Sequence, residues 1–108
     1  MRDIPESDWK LFRTVREAAL DRYCARVLEE SAAILADERE TNHERYIRLF
    51  RLLAKRDRTL ADTFNNPRRS VARIQLAQMD ALGLVTDIEL ARFSSDTRES
   101  VRLIRSAW

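Results

Sequence analysis

A chain of 108 residues, 44% of them apolar, is long enough to bury a modest core as a single domain, spanning 1–108, without disulfide or metal support. One glycine and two prolines cannot supply the turns that a sheet protein needs every ~8–12 residues, so composition excludes most β architectures and predicts an all-α fold. The net charge of +2 is unevenly spread, with −3 over residues 1–40, +5 over 41–80 and none over 81–108.

In chain order, the first helix is expected over residues 5–37. Pro5 suits a first turn, and Glu6 and Asp8 are well placed against the helix dipole. Trp9, Phe12, Val15, Ala19, Tyr23, Val27 and Ile34 form its apolar stripe, and Leu20, Cys24, Leu28 and Leu35 widen it by a second edge. Thr41 followed by Glu44 is a capping box that opens a second helix running to Phe64. Asn66 is expected to cap a third, with Pro67 at its first position and Gly83 just past its end. Val71, Ile74, Leu76, Met79 and Leu82 give that helix a broad apolar face. Thr86 and Glu89 make a second capping box for a short helix at 87–93, and Ser94 or Ser95 caps a last one carrying Val101, Ile104 and Trp108. Short connections favour antiparallel neighbours, so the predicted architecture is an antiparallel bundle of four main helices plus one short connecting helix.

PESDWKLFR, RRSVARIQLAQM and GLVTDIELARFS, about a third of the chain, resemble a family of uncharacterised small all-helical bacterial proteins. The resemblance implies a helical fold and no activity. QLAQMDALGLVT is similar to the end of a recognition helix in winged-helix proteins, but no β-wing follows and Asp80 and Asp87 flank it.

The single cysteine, Cys24, precludes an intramolecular disulfide and fits a reducing compartment. MRDIPESDWK lacks the apolar stretch of a signal peptide, and no run nears the ~18 apolar residues of a membrane span. A cytoplasmic location is therefore expected.

The feature that invites chemistry is Asp57. Tyr46, Phe50, Leu53, Leu60 and Phe64 share one side of the second helix, and Asp57 falls in the middle of it. A carboxylate in an apolar interior must be paired, protonated or wet. Folding the chain back at its turns predicts a buried polar cluster of Asp57, Tyr23 and Gln75, joined from above by Arg68. A second candidate is NNPRRS, which puts Arg68, Arg69 and Ser70 at a helix start, where an anion would meet N–H groups and two guanidiniums; Asp62 could supply that anion internally. Nucleic acid is the related partner, through Arg45, Arg48, Arg51, Lys55, Arg56, Arg58, Arg69 and Arg73.

Enzymatic readings find little footing. Glu40 and His43 have the Glu-x-x-His spacing of di-iron bundles, but those need two such motifs and this chain has one histidine. Cys24 and His43 are far apart along the chain, and no glycine-rich phosphate loop exists. No cofactor or metal is expected. The reading that remains is a non-enzymatic interaction module, homodimeric and binding a protein partner through helix faces, with nucleic-acid or anion binding as the alternative.

Overall fold

A computed structural model describes residues 3–108, so Met1 and Arg2 of the MRDIPESDWK start lie outside the described residues. Among the described residues the fold is all-α, with five helices and no strand. In order these are α1 (Glu6–Leu35), α2 (Asn42–Phe64), α3 (Ala72–Ala81), α4 (Asp87–Ala91) and α5 (Ser95–Ser106).

Their boundaries follow from local chemistry. Thr41 accepts from the Glu44 backbone N–H while the Glu44 carboxylate accepts from the Thr41 N–H, and Thr86 and Glu89 repeat this at α4. Gly83, at φ +71°, closes α3 in a Schellman arrangement. Its N–H reaches the Asp80 carbonyl and the Leu84 N–H reaches that of Met79, at 3.0 and 2.9 Å. Ser94 caps α5 by accepting from the Thr97 N–H.

The third helix starts later than its sequence suggests. Asn65 ends α2, and Asn66 takes the left-handed conformation at φ 51°. Residues 68–71 then form a turn in which the Val71 N–H bonds the Arg68 carbonyl, so helix begins only at Ala72. The segment before α1 helps hold that turn, because the Ile4 N–H reaches the Arg69 carbonyl at 3.5 Å.

The core lies toward one end of the molecule. Phe12, Val15, Ala19 and Tyr23 from α1 meet Phe64 from the end of α2, Ala72, Leu76, Ala77 and Met79 from α3, and Leu84, Phe93 and Val101 beyond it. Arginines of α1 stitch this head together by capping helix ends that have run out of intrahelical donors. Arg16 binds the Phe64 carbonyl at 2.7 Å and lies over the Phe64 ring. Arg26 binds the Leu82 and Gly83 carbonyls at 2.6 and 2.8 Å. Arg22 binds the Leu84 carbonyl and, in a forked pair, Glu89.

The molecule measures 52 × 24 × 23 Å. At ~1.5 Å per residue, the 30 residues of α1 cover about 45 Å of that long axis. The part of α1 beyond Arg26 therefore runs past the head and lies against α2, held there by Glu30 on Arg56 and by Arg45 on the Leu35 carbonyl, as a two-helix tip.

Candidate interaction surface

At the tip, α1 turns Val27, Ser31 and Ile34 toward α2, with Ser31 and Ile34 buried and Val27 half-buried. Leu49, Leu52 and Arg56 on α2 are likewise half-buried. The second apolar edge of each helix has no cover. Leu28 (68% exposed), Leu35, Tyr46 (69%), Phe50 (65%) and Leu53 form an apolar patch along the hairpin. Between the helices it deepens into a groove of about 560 Å³, bounded by Tyr23, Cys24 and Leu28 on one wall and Phe50, Leu53 and Asp57 on the other.

The expected buried cluster does not form. Asp57 is exposed on the groove wall and Arg68 is exposed in the turn before α3. Tyr23 and Gln75 are buried as expected, but each donates to a backbone carbonyl and not to Asp57. The Tyr23 hydroxyl donates to Arg56 at 2.8 Å, and the Gln75 amide donates to Asn65 at 2.8 Å. The physical reason is rotation and register. α2 rests on α1 through the residues beside the Tyr46–Asp57 stripe, and α3, delayed by its turn, packs mainly on α5 instead of folding back along α2.

The arginine turn also differs from expectation. Arg68, Arg69 and Ser70 precede α3 and do not occupy its first turn. Arg69 finds its anion in Glu6, at 2.8 Å, and not in Asp62, and it also donates to the Ile4 carbonyl. Other cations of the middle segment are engaged as well. Arg48 pairs with Asp37 and Glu40, Arg56 with Glu30, and Arg73 with Asp96, while Arg45 caps the end of α1 at the Leu35 carbonyl. The Arg39 and Arg48 guanidiniums hold the Asp37 carboxyl far below the usual range. Arg51, Lys55 and Arg58 stand exposed on the outer side of α2.

A buried acid does exist, at Asp8, which is 4% exposed. Its Oδ1 accepts from the Ser94 N–H at 3.0 Å, and its Oδ2 accepts from the Ser94 and Thr97 hydroxyls at 2.5 and 2.6 Å. Burial pushes this carboxyl up, but the Ser94 and Thr97 hydrogen bonds and the nearby Arg73 outweigh it and hold the group below its ordinary value. Asp8 thus does for α5 what Glu44 and Glu89 do for α2 and α4, supplying from another helix the carboxylate that accepts the N-cap N–H. The sequence held a signal for it, since Asp8 lies four residues before Phe12 on the α1 stripe, but the dipole already explained the residue.

Cys24 is half-buried in the groove wall, while His43 is exposed in the first turn of α2. Among the described residues, no three His, Cys, Asp or Glu side chains gather to hold a metal, and no helix is long and apolar enough to cross a membrane. No family model, curated protein or solved structure matches the chain, and its reading rests on its own residues.

Proposed function

We propose that the chain is a non-enzymatic helical interaction module whose docking surface is the open face of the α1–α2 hairpin, with a second copy of the same chain as its partner. The observation that carries this is the uncovered run of Leu28, Leu35, Tyr46, Phe50 and Leu53. Together these side chains leave on the order of 600 Å² per molecule to be covered, within reach of the ~800 Å² per partner of a stable interface. Charge placement supports it. Arg48, Arg51, Lys55 and Arg58 lie around α2 away from this face, so two copies meet there without opposing like charges.

Light scattering over a concentration series tests the reading. The chain runs as a dimer at tens of micromolar, and Phe50→Glu, which desolvates a charge in the middle of the patch, leaves a helical monomer. A wild-type chain that stays monomeric at about 100 μM, weaker than the ~8 kcal/mol of a micromolar complex, removes the homodimer.

A further inference from the structure

Asp57 sits in an apolar stripe without being buried, and the spacing of that stripe suggests why. Tyr46, Phe50, Leu53 and Asp57 follow one another at intervals of four, three and four, a pattern that reads the same from either end. Written as heptads, Phe50 and Asp57 take a positions and Tyr46 and Leu53 take d positions. Two such helices laid antiparallel bring each a residue beside a d residue of the other. One register then sets Phe50 against Leu53 twice and Tyr46 against Asp57 twice.

The flanking positions fit this seam. On the side of α2 turned away from α1, Ile47, Ala54 and Ala61 border the stripe and carry no charge; on the other side Leu49, Arg56 and Thr63 are half-buried or buried, and Arg56 is held by Glu30. The alanines allow two backbones to approach. The exposed cations Arg48, Arg51, Lys55 and Arg58 fall at b and f positions, outside the contact.

The same register determines what α1 does. Arg16 to Phe64, Tyr23 to Arg56 and Arg45 to Leu35 are cross-hairpin bonds that fix the level of one helix against the other. By that alignment Leu28 lies opposite the midpoint between Phe50 and Leu53. A two-fold axis crossing the hairpin there stacks α1 on α1 and α2 on α2, with Leu28 meeting its own copy. An axis running along the helices would instead place α1 on the partner's α2 and hold the two Leu28 side chains apart.

We propose that the second copy binds with α2 antiparallel to α2 about a two-fold axis between Phe50 and Leu53, each Tyr46 hydroxyl donating to the partner's Asp57. This rests on the homodimer reading. It gives the acid a purpose in the complex, because a polar pair within an apolar seam penalises every shifted register in which the carboxylate meets only apolar neighbours.

Two measurements test the arrangement separately from dimerisation. In a Cys24→Ser background, Leu28→Cys forms a disulfide-linked dimer on mild oxidation, whereas Leu35→Cys, far from the axis, does not. Tyr46→Phe weakens dimerisation about 10- to 30-fold, as expected for two lost hydrogen bonds per dimer, but changes nothing further in an Asp57→Ala background. If scattering shows a dimer while Leu35→Cys cross-links and Leu28→Cys does not, or while Tyr46→Phe acts equally in both backgrounds, this register is wrong and the interaction-module reading stands. A strict monomer overturns both.

Discussion

The head and the tip of this molecule are built from the same two helices and differ in what covers them. Along α1, Phe12, Val15 and Ala19 are buried beneath α3 and its neighbours, whereas Leu28 and Leu35, further along the same helix, are open. Along α2, Phe64 is buried while Phe50 and Tyr46 are exposed. At both ends a helix presents an apolar side that wants a neighbour, without specifying where the neighbour comes from. In the head it comes from the same chain and is locked by Arg16, Arg22 and Arg26 on helix ends. At the tip no segment of the described chain supplies it.

The contrast breaks most visibly at Asp8. Asp8→Ala strands the Ser94 N–H and two hydroxyls in a buried site and costs about 3 kcal/mol, read as a fall in the urea midpoint at unchanged slope. The pH dependence has a definite sign. The folded-state value lies below the ordinary 3.8, so the contribution is fully present above that value and is lost as pH falls from there through the lowered one. Wild type therefore loses more stability than Asp8→Ala as pH falls below the ordinary 3.8, and the two stability curves draw together there. Parallel curves would mean that the carboxylate is not what holds α5 to α1.

Gly83 gives a smaller effect in the same region. At φ +71° a side chain strains the backbone, and an added Cβ would meet Arg26 Nη2 at 3.6 Å, an ordinary contact. Gly83→Ala therefore costs about 1 kcal/mol from backbone strain alone, measurable by thermal unfolding. A much larger loss would show that the Arg26 clamp on the Leu82 and Gly83 carbonyls had been displaced as well.

How far the sequence could be read follows the same division. Both capping boxes, the Gly83 stop and the α1 and α2 boundaries are local events, written in residues within four positions of each other, and they were legible. The surplus apolar edge of Leu28 and Leu35 was legible too, as more surface than a small bundle covers. What failed was long-range. The Asp57 cluster assumed that three helices fold back at one common level, but Asn66 entered the left-handed region and postponed α3 to Ala72. Asp8 was hidden for the opposite reason. Its partners Ser94 and Thr97 lie 86 and 89 residues away, and nothing in the spacing of either segment refers to the other.

The smallest effect belongs to the tip, and it separates the two regions most cleanly. Phe50 is 65% exposed, so within an isolated molecule Phe50→Ser removes little burial and shifts stability by no more than about 0.5 kcal/mol. The same truncation of a buried phenylalanine in the head costs several times as much, on the order of 3–5 kcal/mol. A second copy bound only to the folded state makes the wild-type unfolding midpoint climb with protein concentration, by mass action. Phe50→Ser should abolish that climb while matching wild type at high dilution. A variant that is less stable by 2 kcal/mol or so at every concentration would place Phe50 under cover within its own chain, and the distinction between a sealed head and an open tip would fail.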